Sequence, residues 1–144
     1  MKIKRVAIGA IFLTLLGVPV AFGAKTEKSK TQSLKQQILA AHQKSNEKLF
    51  RKLIHPKCPV DDAKIRSNLM IPWTSRYQVR DKKVEESFDL TKINFHVKPE
   101  AVLEYQVWTK TVQGPEIELI KAFPIARYRG KWKILEYPCF EPRK

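Results

Sequence analysis

The spacing of apolar side chains divides this chain into three regimes. From Val6 to Phe22 the residues are apolar almost without interruption. From Leu34 to Ile54 they fall in steps of three and four: Leu34, Ile38, Leu39, Ala41, Leu49, Phe50, Leu53 and Ile54. That period places them on one stripe of a helix and predicts a single amphipathic helix of about 21 residues, ~32 Å at 1.5 Å each. Ser33 and Gln36 are spaced as a capping box at its start. The stripe turns polar around Gln43 to Asn46, and Pro56 ends it, because a residue before proline avoids the helical region. A second, short helix is expected through Ala63, Ile65, Leu69 and Met70, capped by Asp61 or Asp62 and stopped by Pro72.

Beyond Pro72 the period drops to two. Tyr77 and Val79 alternate with Arg76, Gln78 and Arg80, and Phe88 and Leu90 follow the same rule. Ile93, Phe95 and Val97 face one way and Asn94, His96 and Lys98 the other. Lys98-Pro99-Glu100 predicts a turn, and Ala101 to Val112 a long strand with Leu103, Tyr105 and Val107 on one face. Gln113-Gly114-Pro115 turns the chain into a strand lined by Ile117, Leu119, Phe123 and Ile125. Arg129-Gly130-Lys131 leads to a last strand through Trp132, Ile134, Leu135 and Tyr137, closed by Pro138-Cys139. Helices followed by antiparallel strands make an α+β domain, in which the long N-terminal helix and the sheet each bury the other's apolar face. The domain is expected over residues 34–144, after a polar lead-in at 24–33.

The first 23 residues read as a signal rather than as part of that domain. Lys2, Lys4 and Arg5 precede the apolar run, which closes on Ala21-Phe22-Gly23. A charged start, an apolar centre and a small-x-small end are the anatomy of a bacterial-type secretory signal, with cleavage expected after Gly23. The stretch Val6 to Ala24 also approaches the ~20 residues of a membrane helix, so an uncleaved anchor is the alternative. Pro19 and glycines 9, 17 and 23 weaken it. Either way the domain is delivered outside the cytoplasm, secreted or periplasmic. Cys58 and Cys139 are the only cysteines, and an oxidising compartment favours their pairing into a disulfide. No Cys-x-x-Cys and no histidine spacing beside them speaks for redox or metal chemistry, and no metal or cofactor is expected.

Charge narrows the partners. The formal net charge is +14, or +11 once the three basic residues of the signal are removed. Such an excess favours anionic partners, which in an envelope are lipid phosphates, acidic polymers or an acidic protein face; nucleic acid is not expected there. A uniformly basic surface is the simpler account of the same number. Arg127, Tyr128, Arg129, Lys131, Trp132 and Lys133 crowd into seven residues, and Lys110 with Trp108, Arg76 and Tyr77 is expected near them across the sheet. Arginine forks grip phosphate or carboxylate, and aromatic faces stack sugars. Trp132 as core filler and the cations as a solvated edge is the competing reading.

The run Lys92-Ile93-Asn94-Phe95-His96-Val97-Lys98-Pro99-Glu100-Ala101-Val102-Leu103-Glu104-Tyr105 is similar to a recurrent hairpin of the NTF2-like (cystatin-like) superfamily. The ending Ala126-Arg127-Tyr128-Arg129-Gly130-Lys131-Trp132-Lys133-Ile134 resembles the closing hairpin of that superfamily. The resemblance spans roughly residues 85–138 and implies a sheet curled into a cone around the N-terminal helix. It also implies a pocket inside the cone, toward which His42 and Tyr105 would look, and pairing of two copies through the open sheet face near Trp108. Within the superfamily such domains serve as enzymes, carriers, assembly modules and secretion-machine subunits, so fold alone does not assign activity.

The residues themselves give no positive case for an enzyme. His42 sits at the polar gap of the helix, with Glu104 and Glu118 on the wrong strand faces to hold its tautomer. His55 suits a helix C-terminus and His96 a solvated strand face. Glu85 and Glu86 are neighbours that a strand would point apart. The sequence therefore predicts an exported, non-catalytic binding domain that engages an anionic envelope component or an envelope protein. The alternatives are a small-molecule pocket protein and a structural subunit of an envelope machine.

Overall fold

The computed structural model describes residues 31–110 and 112–144. The expected signal, its cleavage point and most of the lead-in lie outside the described residues. Ser33–Lys144 form one compact unit. Helix α1 occupies residues 31–43, α2 spans Glu47–Leu53 and α3 spans Asp62–Leu69. Strand β1 (Trp73–Lys82) follows, then the single-turn α4 (Val84–Ser87) and β2 (Ile93–Phe95). Four strands close the chain: β3 (Ala101–Lys110), β4 (Glu116–Tyr128), β5 (Lys131–Ile134) and β6 (Phe140–Pro142). The result is an α+β fold with an open antiparallel sheet in the order β1-β3-β4-β5 and a small sheet of β2 and β6.

The one long helix expected from Leu34 to Ile54 is two helices. Its polar gap is where the backbone breaks: Ser45 takes a φ of 48°, and its Oγ donates to the Leu69 carbonyl at 2.8 Å. Asn46 then caps α2, its Oδ1 accepting from the Leu49 N–H at 3.0 Å. Ser33 lies inside α1 and does not cap it, since residues 31–33 are already helical. The second helix is capped as expected, with Asp61 Oδ1 accepting from the Lys64 N–H at 2.7 Å. Arg51 on α2 and Asp62 on α3 form an ion pair between the two helices.

The apolar stripe of the helices and one face of the sheet form the core. Ile38, Ala41, Phe50 and Ile65 from the helices meet Leu103, Tyr105, Val107, Phe123, Ile125 and Ile134 from the sheet, all fully buried. The Tyr105 hydroxyl donates to the Lys35 carbonyl at 2.7 Å, fixing α1 to β3. After α2 the chain runs beside β5: Ile54 bridges Ile134 in parallel, and the His55 N–H donates to the Ile134 carbonyl at 2.7 Å. Cys58, just beyond, is bonded to Cys139, with their Cα atoms 5.1 Å apart.

Three strand expectations change. The alternation at Phe88 and Leu90 does not form a strand; Val84–Ser87 makes a helical turn, and Asp89 Oδ1 accepts from both the Thr91 N–H and the Thr91 hydroxyl. Such local side-chain bonds give the backbone an alternative to a ladder. The last strand of the main sheet ends at Ile134 rather than Tyr137. A further strand, β6, follows Cys139 and pairs with β2, so the disulfide enters ahead of the final strand instead of after it. Phe88, Phe95 and Phe140 pack edge to face or tilted beneath this small sheet, with ring centroids 5.6–6.0 Å apart.

Candidate functional site

The β4–β5 hairpin carries most of the basic residues singled out in the sequence. Tyr128 pairs with Lys131, so Arg129 and Gly130 form a two-residue turn. Both have positive φ, 50° and 77°, as a type I′ turn requires. Strand alternation then separates the cations: Arg127 and Trp132 are opposite each other on one face, while Tyr128 with Lys131 and Ala126 with Lys133 are on the other.

The four cations also differ in their attachments. The Arg127 guanidinium holds Glu100 through Nε and one terminal nitrogen, at 3.0 and 2.8 Å, and its backbone N–H donates to the same carboxylate at 2.6 Å. Those bonds, the backbone one foremost, hold the Glu100 carboxyl below its ordinary range. The guanidinium also lies 5.2 Å from the Trp132 ring centre. Lys133 donates to the Lys52 carbonyl at 2.7 Å, at the last turn of α2. Arg127 and Lys133 therefore support the fold. Arg129, over the Tyr128 ring at 5.4 Å, and Lys131 are exposed at the hairpin tip, and no carboxylate pairs with either among the described residues.

Lys110 does not join them. It pairs with Glu116 at the opposite end of β4, eleven residues from Arg127, or roughly 36 Å along the strand. Its neighbours are Trp108 and Arg76, whose guanidinium stacks on the Trp108 ring at 4.0 Å and approaches Glu116 at 3.8 Å. The basic face expected as one surface is thus two separate groups, because β3 and β4 are long and the two groups occupy opposite ends.

His42 and Tyr105 are both fully buried. The His42 ring stacks on Trp73 at 3.8 Å and meets Phe50 and Phe123 edge-on, and Tyr105 packs against the same Trp73 and Phe123. These aromatic rings occupy the space between α1 and the sheet at this point. His42 Nδ1 lies 2.9 Å from the Ile38 carbonyl and so carries the proton, which leaves Nε2 as a buried acceptor without a partner among the described residues. Burial lowers the His42 pKa to about 4, the Ile38 bond opposing and nearby Lys121 assisting, so the ring is neutral.

Sequence reading missed a half-buried lysine near His42 and a buried glutamate coupled to it. Lys121 is opposite Tyr105 on the inward face of β4, and Glu136 follows β5. Burial lowers the Lys121 pKa and raises that of Glu136, while each opposes the other's shift. The signal was present in the alternation Ile117, Leu119, Lys121, Phe123, Ile125, which places a lysine among core-facing positions. His55 is buried beside Tyr128, and its Nδ1 accepts from the Lys57 N–H at 3.1 Å. His96 is exposed and 3.2 Å from Glu141. Among the described residues no three His, Cys, Asp or Glu side chains gather as a metal site, and no helix is long and apolar enough to cross a membrane.

A cleft of about 560 Å³ lies on the far side of Glu100, between α4, β2 and the C-terminal segment. It is lined by apolar Val84, Leu90, Ile93 and Phe95 and by the cations Lys83, Lys98 and Arg143. Comparison of the chain with family models, with curated proteins and with solved structures finds no match.

Proposed function

We propose that this chain is an exported, non-catalytic binding domain that engages an anionic component of the cell envelope through the tip of the β4–β5 hairpin. The observation that carries this reading is the division of labour among its cations. Arg127 and Lys133 brace the hairpin, while Arg129 and Lys131 are exposed and form no ion pair among the described residues. A braced turn presents charge at low entropic cost, and exposed cations attract phosphate or carboxylate from a distance. Export is supported by the charged and apolar start of the chain and by the Cys58–Cys139 bridge, which suits an oxidising compartment. The NTF2-like cone is the architecture we infer for the curled sheet, supported by the packing of α1 on β3 and the irregular register of β1 between Trp73 and Tyr77.

The test is retention on anionic vesicles or an acidic glycan matrix as salt is raised. Binding should be present at low salt and vanish near physiological ionic strength, where exposed charges are screened beyond ~8 Å. The double variant Arg129→Asn, Lys131→Gln should lose retention and keep its fold, since asparagine tolerates the positive φ that arginine is forced to adopt here. Retention unaltered in that variant would remove the hairpin from the account.

A further inference from the structure

The cleft beyond Glu100 has a different chemistry from the hairpin. Its floor is Val84, Leu90, Ile93, Phe95 and Pro99, with Leu90 43% exposed toward it. Phe95 is held in place by Phe88 and Phe140, so this apolar wall is rigid. Above the floor are Lys83, Lys98 and Arg143. Arg143 is anchored twice: its backbone N–H donates to the Lys92 carbonyl at 2.8 Å and its Nε to the Ile93 carbonyl at 3.2 Å. Those bonds tie Arg143 to the backbone of β2 and the turn before it, where it lines the cleft.

The acidic side chains of the cleft do not cancel this charge. Glu100 is already held by Arg127, and Glu85 alone remains. No ion pair engages Lys83, Lys98 or Arg143 among the described residues. The volume lies within the ~300–1,000 Å³ of sites that enclose small organic ligands. Apolar surface with a few convergent polar groups is the usual make-up of such sites, and here those polar groups share one sign.

We propose that this cleft binds a small amphipathic anion, its aliphatic or aromatic body on Leu90, Ile93 and Phe95 and its carboxylate or phosphate head between Lys98 and Arg143. Burying the body removes apolar surface from water, and the planar Arg143 fork suits a two-oxygen head. Neither feature involves the hairpin tip, so this site stands or falls separately from the surface reading above.

The experiment titrates the purified protein with decanoate, decyl phosphate and decyltrimethylammonium, each below its micellar concentration, by calorimetry and by amide chemical-shift mapping. One of the two anions should bind saturably at one site, with shifts centred on residues 83–100 and 143, and the cation with the same tail should not. Lys98→Gln with Arg143→Gln should weaken the anion at least tenfold. Leu90→Ser, at an exposed position that leaves the core intact, should weaken it as well. Arg129→Asn with Lys131→Gln, which acts on vesicle retention through the hairpin, should leave the shifts centred on residues 83–100 and 143 in place. Vesicles of phosphatidylglycerol, offered to the Arg129→Asn, Lys131→Gln background so that the hairpin does not contribute, distinguish the source: retention there that is lost on adding Lys98→Gln and Arg143→Gln points to a membrane lipid, and no retention beside decanoate binding points to a free amphiphile. Equal binding of the cationic amphiphile, no saturable binding of either anion, or affinity unchanged in the Lys98, Arg143 variant would overturn the proposal.

Discussion

At the scale of the residue, His42 shows how position decides chemistry. The same imidazole on a surface would be charged in mildly acidic medium; stacked on Trp73 in the core, its pKa falls to about 4. The unfolded chain, with an ordinary histidine near 6.5, then binds the proton that the folded chain refuses. Stability therefore declines as pH falls from about 6.5 toward 4, by roughly 3 kcal/mol when the whole interval is crossed. His55 shifts in the same direction, through burial first and then the charges of Lys57 and Lys133, and adds to the slope. Replacing His42→Phe, which retains the stack and removes the titration, should flatten most of that decline in urea midpoints measured from pH 7 to pH 4. A slope unchanged in the variant would mean that His42 is protonated inside the fold. A pKa near 4 also makes the buried imidazole a weak base, and among the described residues nothing hydrogen-bonds its Nε2.

At the scale of the element, the break between α1 and α2 matters more than either helix. The apolar stripe on both sides of it is regular, which is why the sequence reads as one long helix. The turn at Lys44-Ser45-Asn46 interrupts the helix, and the Asn46 cap makes the restart favourable. Asn46→Ala should cost about 1 kcal/mol by removing the acceptor for the Leu49 N–H, read as a lower thermal midpoint. If the midpoint does not move, the cap is not what holds the start of α2. The strand side offers a second prediction. β5 covers β4 from Ile125 to Tyr128 and the Leu135 N–H reaches the Pro124 carbonyl, so, among the described residues, 116–123 form an open edge that exposes Ile117, Leu119 and Ile120. Bare apolar edges invite strand-to-strand association. Ile120→Lys should therefore reduce self-association in light scattering at high protein concentration without lowering stability, and scattering equal to that of the parent would show the edge to be inert. The pairing of copies expected near Trp108 is tested by the same measurement.

At the scale of the molecule, the disulfide ties two segments that are 81 residues apart. Cys58 follows the helices and Cys139 opens the passage to β6, whose neighbour His96 donates its backbone N–H to the Cys139 carbonyl at 2.8 Å. The bridge thus links the helical side of the fold, the main sheet and the small sheet. A loop of that length is worth roughly 4 kcal/mol on the chain-entropy model. The pair Cys58→Ser, Cys139→Ser should lower the unfolding free energy by that order, and dithiothreitol should reproduce the loss in the parent and leave the variant unaffected. A parent insensitive to reductant under unfolding conditions would contradict the bridge as a source of stability.

Much of this was legible in the residues because it depends on local period and on pairs of rare side chains. Alternation marked β3 and the core half of β4, aspartate before an apolar run marked α3, and two lone cysteines behind a signal-like start marked the bridge. The helix break, α4 and β6 were not legible. Each is decided by a bond to a distant or neighbouring group: Ser45 to Leu69, Asp89 to Thr91, and β6 to β2. For the same reason the basic residues could be listed from the sequence but not sorted. Charge is a property of the side chain and survives in any conformation. Whether a cation braces the fold, as Arg127 does on Glu100, or stays exposed, as Arg129 and Lys131 do, depends on which carboxylate or carbonyl the folded chain brings within about 3 Å, and only the tertiary structure sets that distance.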